Sequence, residues 1–292
     1  MKTRSFVVGA VCAVALLALV VGTAHAKAGR CAGVKDGEVP HIHFVDKSST
    51  VKNWLVRGGN PDVIDDSQFD YNALVRGILA AAKRDNVDLP QPFFLIDINL
   101  ENIENDNKDT DDSHHVMSEY EFFEANPSKG LFLFWQTLGT TNNISTPYFT
   151  PSFKNYLMKS FPQWMGDDII QRMQTLRALL ATSFGMPAVI YAHCDCGCDR
   201  TGELFGSYYM KWQNKTWEET NALNTNFAER PMECPNYLAM QWYCMYLREE
   251  EGMTWLNCLD NKACTPTNSA APSRAGDTEK GKLLADVQSF RK

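Results

Sequence analysis

His193-Cys194-Asp195-Cys196-Gly197-Cys198-Asp199-Arg200-Thr201-Gly202 is the stretch that decides how this chain is read. It follows residues 188–192, Ala-Val-Ile-Tyr-Ala, an apolar run with the length and composition of a buried strand. Residues 201–213 behind it carry a helical pattern. A loop running from a buried strand into a helix N-terminus turns several backbone N–H groups toward one point, and the helix dipole adds positive potential there. An oxyanion such as phosphate fits such a nest. Gly197 and Gly202 let the backbone come close without a Cβ in the way. The planar fork of Arg200 grips two oxygens at once, which an ammonium cannot do. The same field favours the thiolate of Cys194, a nucleophile suited to attack on phosphorus. Asp195, Cys196, Gly197, Cys198, Asp199, Arg200 and Thr201 together form the expected phosphate cradle.

Outward from this loop, strands are expected at residues 53–56, 93–98 and 131–135 besides 188–192. Helices are expected at residues 71–84, 167–184, 201–213, 218–229 and 236–251. Asp167 and Asp168 fall in the first turn of one of them, where the dipole favours acids. Residues 101–115 read as a polar, acid-rich loop and residues 139–151 as a surface loop. This alternation gives an α/β class with a largely parallel central sheet flanked by helices on both faces. Residues 27–264 make one domain, and residues 265–292, rich in Ser, Thr, Ala and charge, a flexible tail.

Residues 1–26 read as a signal peptide: Lys2 and Arg4, an apolar run over 6–22, then Ala24-His25-Ala26. The expected destination is the secretory pathway, with the product secreted or lumenal. Asn143-Ile144-Ser145 and Asn214-Lys215-Thr216 are N-glycan acceptor triplets in keeping with that route. No stable membrane insertion is expected after the leader is removed. Removal takes two positive charges and no acids, so the net charge of −7 becomes −9. That balance argues against nucleic acid or an anionic membrane as partner. The nine cysteines become eight without Cys12, an even number that suits disulfides. Cys234 with Cys244 and Cys258 with Cys264 are the sequence-local candidates. The Cys-x-Cys-x-Cys row lacks the pairs of a zinc site, so neither metal nor cofactor is expected. Cys196 or Cys198 is a candidate reversible disulfide partner of Cys194.

Cys-x5-Arg followed by Thr-Gly, preceded by His and fed by an apolar strand, resembles the signature of the protein-tyrosine and dual-specificity phosphatase superfamily. Trp54-Leu-Val-Arg-Gly-Gly-Asn-Pro61 is similar to its opening strand and turn, and Phe94-Leu-Ile-Asp-Ile98 to its second strand. Tyr208-Tyr-Met-Lys-Trp-Gln-Asn-Lys-Thr-Trp-Glu-Glu219 is similar to its helix-turn-helix, so the likeness spans residues 53–227. The resemblance implies the cysteine phosphatase fold and hydrolysis of phosphomonoesters through a phosphocysteine on Cys194. Arg200 and the loop amides would hold the equatorial oxygens, Thr201 would steady the thiolate, and His193 would support the loop. The implied substrate is a phosphorylated protein or a phosphoinositide, with no cofactor.

Two departures stand out. Where the family carries its acid loop, this chain has Trp135-Gln136-Thr137-Leu138, which holds no carboxylate. A branch written His-Cys-x-x-Gly-x-Asp-Arg-Thr-Gly points to Asp199 as the acid instead, with Asp195 and the cluster from Asp106 to Asp112 behind it. That branch has Lys before the Asp, where this chain has Cys198, which counts against highly anionic phosphoinositides. The competing readings are a catalytically silent phosphate-binding module, with Asp199 as a structural partner of Arg200, and a thiol oxidoreductase. The oxidoreductase lacks the usual C-x-x-C spacing and gives Arg200 no task.

Overall fold

Strand-forming runs spread along the chain pair into one sheet of order β1-β2-β5-β3-β4 in a computed structural model that describes residues 38–61, 68–103 and 113–258. The strands are β1 (His43–Lys47), β2 (Asn53–Gly58), β3 (Phe94–Asn99), β4 (Gly130–Phe134) and β5 (Ala188–His193). β1 runs antiparallel to β2, and the other three pairings are parallel. The register sets both Gly58 and Asn99 beside His193. Three strands therefore end at one level, and Cys194 emerges from the middle one. In parallel sheets that edge is where ligands bind.

Side-chain alternation along β5 feeds two cores. Val189 and Tyr191 join Trp54, Val56 and Leu95 against α1 (Tyr71–Arg84) and α2 (Ser113–Ala125). Ile190 and Ala192 join Leu55, Ile96 and Ile98 on the other face. There they meet α5 (Ile169–Ala181), α6 (Asp199–Trp212) and α8 (Cys234–Glu249). Helices on both faces of a largely parallel sheet are what the sequence pattern requires. α3 (Pro151–Lys159), α4 (Phe161–Trp164) and α7 (Trp217–Ala228) complete the described elements.

Several local readings change. Residues 113–125 form α2, although the sequence reads as loop to His115. Only Val116, Glu119 and Phe123 are buried there, while Met117 and Tyr120 face solvent, so no apolar stripe announces the helix. α3 has its start signal in plain view: the Thr150 side chain accepts from the Phe153 N–H, and Pro151 follows the cap. α5 starts at Ile169, after the two acids. Asp168 sits in the left-handed region at φ 46° and makes no side-chain cap bond. The disulfide joins Cys244 to Cys258, with Cα atoms 5.7 Å apart. Cys234 and Cys244 lie on one helix, ~15 Å apart along its axis at ~1.5 Å per residue, too far to bridge. The pairings of Cys234 with Cys244 and Cys258 with Cys264 are thereby both replaced.

The leader 1–26, the tail 265–292 and the cluster from Asp106 to Asp112 lie outside the described residues. Among the described residues no helix is long and apolar enough to cross a membrane.

Asn53, buried at the start of β2, closes the end of α5. Its Nδ2 reaches the carbonyl oxygens of Leu179 at 3.1 Å, Leu180 at 3.2 Å and Thr182 at 2.7 Å. Leu179 O also takes the Thr182 N–H at 3.2 Å, while the last carbonyls of a helix otherwise lack partners within it. Asn53→Ala should lower the unfolding free energy by about 1–3 kcal/mol in urea titration, with the transition slope unchanged.

Candidate active site

Cys194 leaves the end of β5 and the chain turns at once into α6. Its thiol is free and 2% exposed, and Thr201 Oγ1 donates to Sγ at 3.2 Å. Three carbonyls of the turn are drawn outward. The Asn60 N–H donates to Asp195 O at 2.8 Å, His41 Nδ1 lies 2.7 Å from Cys196 O, and Arg57 Nη2 donates to Gly197 O at 3.1 Å. In a trans peptide the N–H of the next residue points opposite to the carbonyl. The N–H groups of Cys196, Gly197 and Cys198 are thus turned to the inside of the loop, where an anion would sit.

Gly197 adopts φ 70°, and a Cβ there would lie 2.4 Å from Gly58 O. No other residue fits that approach. Arg57 is wholly buried, between the rings of Phe205 at 5.5 Å and Phe227 at 5.3 Å, and donates to Asn224 Oδ1 at 2.7 Å. Asn224 in turn donates to Gly202 O at 2.9 Å. Nothing in the sequence singles out Arg57; its one signal is a cation inside an otherwise apolar strand.

His193 lies beneath the loop, fully buried, with Nε2 3.3 Å from Asp97 Oδ1 and 3.4 Å from Glu119 Oε2. Burial opposes its charge, but Glu119 and Asp97 outweigh that and hold its pKa well above the ordinary histidine value. Its ring bridges β5, β3 and α2. The three donor atoms fall within 4.8 Å of one another, close enough in principle to hold a metal ion. The Asn99 side chain also donates to Glu119 at 2.9 Å.

Arg200 stands half-buried in the first turn of α6. Asp199 beside it turns to a different partner: Arg230 grips both its carboxylate oxygens, and the Glu233 N–H donates to it at 2.7 Å. Arg230 is held well above its usual value by that hydrogen bond. The charge of Arg200 reaches Glu101, which is fully buried just past β3. Burial pushes the Glu101 carboxyl up, but His115, Arg200 and His193 pull harder, and it lies below its usual value. Glu101 and His115 carried no assigned role in the sequence, because the contact crosses a segment that reads as loop.

The 135–139 segment, which holds no carboxylate, is bolted down. Asp167 accepts from the Leu138 N–H at 2.8 Å and the Gly139 N–H at 2.7 Å. Arg172 donates to Thr137 Oγ1 at 2.8 Å and to Gln136 O at 2.6 Å. So Asp167, read as a helix-dipole acid, is a loop anchor.

The neighbouring thiols differ from one another. Cys196 is disulfide-bonded, which removes it as a reversible partner for Cys194. Cys198 is free and buried, and burial pushes its thiol up to about 12, so it stays protonated at neutral pH.

No known family profile matches the chain, and no curated protein matches it. Among solved structures it is similar to the core catalytic domain of PP-IP phosphatase SIW14 from S. cerevisiae in complex with citrate, at 15% identity over 75% of this chain and 96% of that one, TM-score 0.35. It is also similar to a PTP-like phytase from Bdellovibrio bacteriovorus, at 12% identity over 75% of this chain and 88% of that one, TM-score 0.36.

Glu203, on the first turns of α6, is buried beside Asp167 and accepts from Asn236 Nδ2 at 2.9 Å. Burial, then the Asp167 charge, raises its pKa well above the ordinary value, and burial raises Asp167 as well. Burial thus favours the protonated form of Glu203 between α6 and the 135–139 segment. A raised acid contributes stability below its unfolded pKa, ~4.3, and loses it as pH rises through the folded value. Glu203→Gln mimics the protonated form. Its urea midpoint should match wild type near pH 4 and exceed it increasingly toward pH 8.

Proposed function

We propose that this chain is a secreted cysteine-dependent phosphatase that hydrolyses phosphomonoesters through a phosphocysteine on Cys194. The observation carrying the reading is a free thiol at the end of the central strand, under a Thr201 hydroxyl 3.2 Å away, inside a loop whose amides converge. Arg200 in the first turn of α6 supplies the fork for the equatorial oxygens. In the first step the Cys194 sulfur bonds to phosphorus while the ester P–O bond breaks. In the second, water attacks phosphorus, the S–P bond breaks, orthophosphate leaves and the thiolate returns. The Thr201 hydroxyl stabilises the sulfur whenever it carries charge. His193, locked between Asp97 and Glu119, fixes where the strand hands over to the loop. Phosphoproteins and phosphoinositides are the substrate classes, and nothing in the chemistry requires a cofactor.

The secretory route is supported by the leader in the sequence and by the Cys244–Cys258 bridge, a bond that persists in oxidising compartments. Asn214 is exposed just before the α7 cap, and Asn143 is half-buried. Asn214 is therefore the better glycan acceptor of the two.

The test is turnover of an aryl phosphate by the full chain. Cys194→Ser should abolish turnover while leaving orthophosphate affinity within a few-fold. Thr201→Ala should slow turnover roughly 10–100-fold, the rate equivalent of one hydrogen bond to a charged group. A wild-type chain that binds orthophosphate but turns nothing over would replace this reading with a silent phosphate-binding module.

A further inference from the structure

A cavity of about 420 Å³ opens just past the end of β4, between residues 134–138 and the start of α5. Phe134, Trp135 and Leu138 give it an apolar wall, and Arg172 gives it a cation. The register places it beside the cradle. Asn99 pairs with His193 on one side and with Phe134 on the other, so the ends of β5, β3 and β4 lie level. At ~4.8 Å per strand, Phe134 is ~10 Å from the strand end that carries Cys194. An extended chain covers that distance in about three residues.

Arg172 is half-buried and has donors to spare. It gives one N–H to Thr137 Oγ1 at 2.8 Å and one to Gln136 O at 2.6 Å, and a guanidinium carries five. Its Cζ lies 5.8 Å from the centre of the Trp135 ring. Among the described residues no carboxylate forms a hydrogen bond or an ion pair with it, and Asp167, Glu203 and Asp168 act on it through space alone. Asp167 gives one oxygen to the Leu138 N–H and the other to the Gly139 N–H. Burial favours the protonated form of Glu203. Asp168, exposed at the mouth, makes no side-chain cap bond. A half-buried guanidinium without a carboxylate partner is a place for one to bind.

Building on the phosphatase reading, we propose that this cavity is a specificity subsite for the carboxylate of an acidic residue within about three positions of the phosphorylated residue in a phosphoprotein. The methylene stem of a glutamate lies along Trp135 and Leu138, and its carboxylate meets the remaining N–H groups of Arg172. One carboxylate suits the cavity better than a second phosphate, because Asp168 at the mouth repels a dianion more than a monoanion. The substrate class is thus an acidic phosphopeptide segment.

The experiment measures kcat/KM of the full chain on phosphotyrosine peptides carrying Glu, Gln or Lys at one position, scanned over about three residues on each side. At one or more positions Glu should lead Gln by about 10-fold, the worth of one charge-assisted hydrogen bond in a partly open site, and Lys should be poorest. In Arg172→Gln the Glu-to-Gln ratio should fall to about 1, whatever that variant loses in absolute rate, and Arg172→Lys should keep part of it. Asp168→Asn, which suits the left-handed backbone at φ 46°, should raise the ratio. No preference for Glu at any position, an undiminished preference in Arg172→Gln, or a lower ratio in Asp168→Asn would each overturn the proposal. If Arg172→Gln does not fold, the scan on wild type and Asp168→Asn still decides. A wild type with Cys194-dependent turnover of p-nitrophenyl phosphate but no preference for Glu overturns this subsite alone. A wild type that turns over neither ester nor peptide overturns the phosphatase reading with it.

Discussion

The guanidinium of Arg57, wholly buried at the end of β2, donates to Gly197 O at 3.1 Å, and the geometry of the turn after Cys194 depends on that bond. The carbonyl can point at Arg57 because Gly197 sits at φ 70° with Gly58 O where a Cβ would be. Once that carbonyl and those of Asp195 and Cys196 are taken from outside, planar peptides turn the following N–H groups inward. The anion nest is thus a consequence of what grips the back of the loop. It also explains the tight seam between β2 and β5, since Arg57 reaches Gly197 only if the two strands end in step.

Buried ionisable groups tie this loop to the rest of the molecule. His193 stands between Asp97 and Glu119 and joins β5 to β3 and α2. Glu203, whose protonated form burial favours, stands beside Asp167 between α6 and the segment after β4. Each removes a partner-less charge that would cost several kcal/mol if left alone. Each also fixes one side of the site, beneath the loop in the first case and beside it in the second. On a third side Asn60 joins the Asp195 carbonyl of the turn to the buried Glu101 carboxylate.

What the sequence made legible follows the range of the interactions. Tyr71–Arg84 is helix over the span its periodicity marks, and the strand–loop–helix around Cys194 stands where the apolar run and the glycines put it. Both are local patterns. α2 was not legible, because its buried positions are too few to make a stripe. The Cys244–Cys258 bridge was not, because spacing along the chain says nothing of which cysteine a helix carries out of reach. Arg57 is separated from Gly197 by 140 residues, and Asn60 from His115 by 55, so their roles appear only once the sheet is assembled. Asp199 is the instructive case: a carboxylate beside an arginine in sequence, yet paired in space with Arg230.

The most direct test of the central claim is to quench the full chain with acid during steady turnover of an aryl phosphate and map its peptides by mass. The account predicts a phosphate adduct on Cys194 and on no other residue, absent when Cys194 is serine. Undiminished turnover with no adduct on Cys194, or an adduct on another side chain, would contradict it.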